Sequence, residues 1–221
     1  MTFEQVKKDP AVNVYIAQAD AAMEALGFTE HSFAHVCRVA STAGDILRTL
    51  NYPERTVELA MIAGYLHDIG NVVNRVDHSQ SGAVMAFRLL DKMGFPPEEI
   101  AVIVSAIGNH DEGSGVPVNA VAAALIIGDK SDVRRSRVRD RKTVSTDIHD
   151  RVNYSATAAE VYTDPENRVL KLELTVDTTV SSVRPSMLKS GRTTAGEAVI
   201  TRMPVIAVLA SLSREAGSLF S

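Results

Sequence analysis

The residues of this 221-residue chain best suited to chemistry are six histidines, His31, His35, His67, His78, His110 and His149, and two carboxylates in apolar surroundings, Asp68 and Asp129. His35 lies inside an amphipathic helical pattern, on or near its apolar side. His67-Asp68 closes a strongly apolar helical pattern, where a neighbouring imidazole and carboxylate are expensive to bury without a partner. His78 falls at a helix start and His110 in the loop just after a helix. Asp129 follows the apolar run Ala122-Ala123-Ala124-Leu125-Ile126-Ile127-Gly128, an unusual place for a lone carboxylate. Imidazoles and carboxylates offered from helices that share a core are a ligand set for borderline divalent metals. His31, one turn before His35, reads as a solvated helix start, and His149 as a structural or exposed residue. Cys37 reads as a small buried side chain.

Three ordered pieces carry a resemblance: His35-Val36-Cys37-Arg38-Val39-Ala40, Leu66-His67-Asp68-Ile69-Gly70 and Ile127-Gly128-Asp129-Lys130-Ser131-Asp132. Together they resemble the H…HD…D signature of the HD superfamily of metal-dependent phosphohydrolases, over Glu30 to Val133, about half of the chain. The resemblance implies a mainly α fold and makes His35, His67, Asp68 and Asp129 the core metal ligands. His78 and His110 fall where two-metal branches, such as the HD-GYP phosphodiesterases, supply histidines for a second ion. That branch's own marks are altered: Asn109 stands at the first of its paired histidines, and its Gly-Tyr-Pro element reads Gly115-Val116-Pro117. Asn71 stands where many members have lysine. The resemblance is therefore to a compact HD protein outside the cyclic-di-GMP phosphodiesterases.

The chemistry implied is hydrolysis of a small phosphate ester, such as a nucleotide. Adjacent residues on a helix point about 100° apart. His67 can thus bind one ion while Asp68 reaches between two. A bridging carboxylate and hydroxide make the clamp that phosphoester hydrolysis needs, without a Ser or Cys nucleophile. Asp68 and Lys130 are the expected catalytic residues, Lys130 orienting phosphate or pairing with a carboxylate. The expected cofactors are divalent metal ions, two per chain, with Fe, Mn, Zn, Ni, Co and Mg undistinguished. The same set of four histidines and two aspartates also suits a diiron oxygenase, since some HD-fold proteins use it for dioxygen chemistry. A non-catalytic regulatory protein retaining its metal is the third reading.

Around these residues the chain reads mostly as helix. Pro10 to Leu26 carries Val14, Ala17, Ala21 and Ala25 as a stripe, with Gly27 as the stop. The next helix, from near Thr29 to Leu50, has Val36, Val39, Ala43, Ile46 and Leu50 as its apolar face. Pro53 opens the helix that ends at His67-Asp68. Asp77 is a good N-cap for a helix to Met93, closed by Gly94. Pro96-Pro97-Glu98-Glu99 opens another to Gly108, and Asn119 to Val133 forms the sixth. Beyond Lys142 a helix is expected over 147–160. A hairpin over 160–177 should follow, because Lys171 to Val176 alternates polar and apolar residues. The segment 181–194 reads as a loop, and Ala195 to Ala216 as a last helix kinked at Pro204. The expected division is a helical metal-binding domain over 1–142 and an α+β extension over 143–221 packed on it. The extension is a candidate dimerisation module.

Composition narrows the alternatives. Forty-five percent of residues are hydrophobic and the net charge is −4, as in a globular protein not built to coat nucleic acid or an anionic membrane. One cysteine excludes a disulfide framework and a Cys-rich zinc site. No apolar run approaches the ~18 residues of a membrane span, and Met1-Thr2-Phe3-Glu4-Gln5 lacks a signal-peptide pattern. The expectation is a soluble cytoplasmic protein. The run Arg134 to Lys142 holds six cations in nine residues. It suits either phosphate capture beside Asp129 or a solvated helix C-terminus.

Overall fold

The computed structural model describes residues 1–111, 115–142, 144, 148–166, 169–177, 180, 193–194 and 197–199. Among them run eight helices: α1 (Phe3–Lys8), α2 (Pro10–Ala25), α3 (Phe33–Thr49), α4 (Glu54–Leu66), α5 (His78–Lys92), α6 (Pro97–Gly108), α7 (Ala120–Ser131) and α8 (Ile148–Ser155). Four strands follow: β1 (Ala156–Asp164), β2 (Val169–Asp177), β3 (Thr193–Thr194) and β4 (Glu197–Val199). Short 3₁₀ turns occupy Ile69–Val72 and Arg135–Arg137. No helix among the described residues is long and apolar enough to cross a membrane.

The bundle is organised around α3. Ser32 caps it by accepting a hydrogen bond from the Ala34 N–H, and its face of Val36, Val39, Ala43 and Ile46 is buried as the periodicity predicts. α4 and α7 pack on that face, and α6 packs on both. The run Ala120 to Leu125 in α7 is buried on all sides, so its small side chains let α7 pass through the centre. Gly64 sets the α3–α4 approach, because a Cβ there would lie 2.8 Å from the Ala40 Cα. This contact brings the His35 helix against the end of the helix that carries His67. Leu47, Ile62, Leu66, Leu90, Ile103, Ile107 and Leu125 fill the remaining core. Each such side chain contributes about 1.5–3 kcal/mol of burial.

Several sequence expectations are corrected. The stripe expected on α2 faces outward, with Val14 56% exposed, while Val12, Ile16, Ala19 and Met23 face the core. Apolar residues occur on both faces of this helix, and the larger Ile16 and Met23 bury more surface than an alanine stripe. Asp77 does precede α5, but at φ 55° it makes no side-chain capping bond. The helix expected over 147–160 stops at Ser155, and Ala156 begins β1. Ala156-Thr157-Ala158-Ala159 is weakly helical by composition, and pairing with β2 overrides it.

The hairpin forms as expected and is longer. β1 and β2 pair antiparallel, from Ala156 opposite Val176 to Asp164 opposite Val169. The sheet continues beyond the hairpin in the order β1-β2-β4-β3. Leu170, Leu172 and Val176 of β2 are buried, and Leu170 joins the bundle core. The expected last helix over 195–216 meets strand instead at Glu197–Val199, and the rest of that stretch lies outside the described residues. So does most of the loop expected over 181–194.

Candidate metal centre

Helix ends and one helix face deliver the six expected ligands to one point. The last carbonyls of any helix lack intrahelical partners, and two of the histidines use them. His67 follows α4 and donates Nδ1–H to the Gly64 carbonyl at 2.8 Å. His110 follows α6 and donates to the Ile107 carbonyl at 2.7 Å. His78, first in α5, donates to the Arg75 carbonyl at 3.1 Å. His35 is held instead by the Asp132 carboxylate, 2.8 Å from its Nδ1. In every case Nδ1 is engaged and Nε2 faces the centre, the arrangement by which outer partners fix a ligating imidazole.

The Nε2 atoms converge. His35 and His67 are 3.3 Å apart, and His78 and His110 are 3.2 Å apart. Asp68 lies between the two pairs. Its Oδ2 is 3.5 Å from His35 and 3.1 Å from His67. Its Oδ1 is 3.5 Å from His78 and 4.0 Å from His110. Asp129 turns Oδ1 to His35 at 3.3 Å and to His67 at 3.7 Å, and its Oδ2 meets Lys130 at 2.9 Å. Asn71 donates to Asp68 Oδ1 at 3.0 Å, fixing the carboxylate plane.

All four imidazoles and Asp68 are buried. Burial opposes ionisation of Asp68 and Asp129, yet His67 beside the first and Lys130 beside the second hold both carboxyls well below the usual range. Burial also opposes charge on His35 and His67, and the surrounding carboxylates push both upward. Burial wins at His110, pushed down to about 4, and lowers His78. The cluster thus carries ionised carboxylates at a buried point whose nearest positive charges among the described residues come from its histidines, Lys130 and the neighbouring Arg75 and Arg137. That is the balance a divalent cation completes. His35, His67 and Asp129 offer ligand atoms within 4.8 Å of one another, as do His67, Asp68 and His110, so the donors fit a metal ion.

The cluster floors a cavity of about 510 Å³, also lined by Phe28, His31, Arg75, Lys130, Arg137 and Asp150. Three features of this wall were missed in the sequence. His31 is 9% exposed, not a solvated helix start, because Asp20 accepts its backbone N–H and Thr29 its ring Nδ1–H. Burial pushes it down to about 4. Asp132 supports His35, and its position three residues after Asp129 near the end of α7 was the available signal. Arg75, 3.3 Å from His78 Nε2, sits in a connection with no sequence pattern to mark it.

Much of the basic run ties the bundle to the segments around it, while Arg139, Arg141 and Lys142 stay exposed. Arg134 pairs with Glu30 and Asp132, and Arg135 with Asp177. Arg139 pairs with Asp20. Arg137 is buried, donating to the carbonyls of Glu30 and Asp132. His149 lies in α8, with its side chain outside the described residues. Cys37 is half-buried against the core.

A helical bundle that gathers four imidazoles and two carboxylates from helix ends defines a class of His/Asp metal-site proteins. The HD domain model matches residues 32–154, and the chain belongs to the HD domain family, whose members bind divalent metals. It is 25% identical over 162 residues to an uncharacterized protein of Methanocaldococcus jannaschii. That alignment covers 63% of this chain and 62% of the relative's length. Among solved structures it is similar to a predicted HD superfamily hydrolase from an uncultured Thermotogales bacterium, at 25% identity and a TM-score of 0.44. The match covers 59% of this chain and 73% of the other.

Proposed function

We propose that the protein is a metal-dependent phosphohydrolase that cleaves a small phosphate ester. The observation that carries this reading is the combination of the six-residue donor cluster with a cavity wall bearing Arg75, Lys130 and Arg137. Buried donors of this kind suit cations, and the flanking guanidinium and ammonium groups suit an anionic substrate. His35, His67 and Asp129 would hold one divalent ion, His78 and His110 a second, with Asp68 between them. Such ions supply an activated water and neutralise charge on the phosphoryl oxygens. Asp68 keeps its two oxygens divided between the histidine pairs, a division that Asn71 maintains. Lys130 holds Asp129 in place and faces the cavity, where it can also meet a phosphoryl oxygen. Expulsion of bulk water from the buried floor strengthens each of these electrostatic contacts.

The test is elemental analysis of the purified protein, then a panel of phosphomonoesters and phosphodiesters, nucleotides included, with each metal in air and under anaerobic conditions. Metal-dependent phosphate release that is indifferent to oxygen is expected. Turnover that needs iron and consumes oxygen would replace this reading with the oxygenase, and metal content without any turnover would leave the regulatory protein.

A further inference from the structure

One imidazole in the cavity is built in but does not belong to the ligand cluster. His31 is nine-tenths buried and lines the cavity with Asp68 and Asp129. Its ring packs edge-on to His35, with centroids 5.6 Å apart, so it stands beside the donors.

The segment that carries it is tightly fixed. Asp20 accepts the His31 backbone N–H at 2.8 Å. Glu30 exchanges two hydrogen bonds with Arg137, N–H to the Arg137 carbonyl at 2.8 Å and carbonyl from the Arg137 Nε–H at 3.0 Å. Thr29 accepts the ring Nδ1–H at 2.6 Å. That bond assigns the ring proton to Nδ1 and leaves the lone pair on Nε2. Among the described residues Nε2 has no hydrogen-bond partner, and no buried side-chain nitrogen or oxygen is unpartnered. Nε2 therefore opens to the cavity.

We infer that His31 is a specificity-determining residue whose Nε2 accepts a hydrogen bond from a hydroxyl of the substrate close to the scissile phosphate. The inference rests on the phosphohydrolase reading and narrows its substrate class to phosphate esters of hydroxylated alcohols. A phosphoryl oxygen is itself an acceptor and does not satisfy this nitrogen, whereas a neighbouring O–H does. Phosphate is left to the cationic side of the cavity, at Arg75 and Lys130. A site that holds an acceptor ready for a hydroxyl discriminates against the analogue lacking it, because the acceptor is then desolvated without a partner.

The experiment compares two non-hydrolysable probes, 3,4-dihydroxybutylphosphonate and butylphosphonate, by calorimetric titration of the zinc-loaded full chain. Glycerol 3-phosphate and propyl phosphate are compared in parallel as substrates. The unmutated protein is expected to favour the dihydroxy probe by about tenfold or more. His31→Ala should bring the ratio to about one with metal content unchanged, and His31→Gln, which keeps an acceptor oxygen, should restore part of it. In the unmutated chain labelled with ¹⁵N-histidine, the His31 Nε2 resonance should move with the dihydroxy probe and stay with butylphosphonate. This measurement needs no variant to fold. A ratio near one in the unmutated protein, or an unchanged ratio in His31→Ala, overturns the inference alone and leaves phosphate hydrolysis standing. Loss of metal in His31→Ala also overturns it by making His31 a support of the metal cluster. If neither phosphonate binds and no ester is cleaved, the phosphohydrolase reading falls and the inference with it.

Discussion

Replacing Gly70 with alanine tests how the second half of the proposed metal centre is assembled. Gly70 lies in the 3₁₀ turn after His67-Asp68, and that turn packs on the start of α5. A Cβ at this position would stand 2.0 Å from the His78 carbonyl oxygen, 2.4 Å from the Gly82 nitrogen and 2.7 Å from the Ser81 Oγ. Real Cβ atoms essentially never approach closer than 3.0 Å, so the backbone of α5 must retreat by about 1 Å. His78 is the first residue of α5 and rides on that backbone. Its Nε2, now 3.5 Å from Asp68 Oδ1, would be displaced several times beyond the ~0.2 Å tolerance of metal–ligand distances. His35 and Asp129, on α3 and α7, lie outside the disturbed contact. The variant is therefore expected to fold, to retain the ion at His35, His67 and Asp129, and to lose the one at His78 and His110. Overpacking of this kind costs roughly 1–3 kcal/mol, which for a chain of this size lowers Tm by roughly 2–12 °C. Metal content by plasma emission and melting of the metal-free protein read the two effects separately. Gly108→Ala is the control, since its Cβ would meet nothing nearer than the Ala83 Cβ at 3.7 Å. A Gly70→Ala protein with full metal content and an unchanged Tm would refute the claim that this contact sets the position of His78.

Four further outcomes are expected. His78→Ala and His110→Ala should each reduce two metals per chain toward one, and a single ion in the unmutated protein, unaffected by either change, would remove the second site. Asp68→Ala should abolish phosphate release while circular dichroism keeps its helical signal, and retained turnover would be fatal to a carboxylate placed between two ions. Asp132→Asn should weaken metal binding by about 10–100-fold, because His35 loses the carboxylate at its Nδ1; isothermal titration measures it, and unchanged affinity would deny Asp132 that role. The metal-free protein should lose stability as pH rises above 6.5, through about 8 at His35 and on to about 10 at His67. The carboxylates around the two histidines raise them to these values against the opposing effect of burial, so each stabilising contribution is complete below the unfolded value and disappears above the folded one. His31 and His110 are already neutral across this window. Metal-loaded protein should not share the decline, since binding the ion displaces these protons. A metal-free Tm that rises between pH 6.5 and 8 would contradict the assignment.

Much of this was determined by the sequence alone. Apolar periodicity and the Pro, Asn and Gly punctuation placed α3 to α7, because those helices bury one strong face or are buried all round. His67-Asp68 and Asp129 stood out because charge at the end of an apolar helix is costly without a partner. The resemblance to the HD signature, carried by the order of these histidines and aspartates along the chain, then selected all six residues that the fold gathers. Tertiary structure decided the rest. It chose which face of α2 is buried, since that helix is apolar on both sides and only its neighbours distinguish them. It turned Ala156 to Glu160 into strand, because pairing with β2 outweighs the weak local preference of alanines. It also drew His31, Arg137 and Asp132 inward. Their neighbours in sequence are polar, and the partners that stabilise them lie far along the chain: Asp20 for His31, the Glu30 carbonyl for Arg137 and His35 for Asp132. A buried polar residue satisfied across such separations leaves no periodic trace in the sequence, because the hydrogen bonds that make its burial tolerable exist only once the chain has folded.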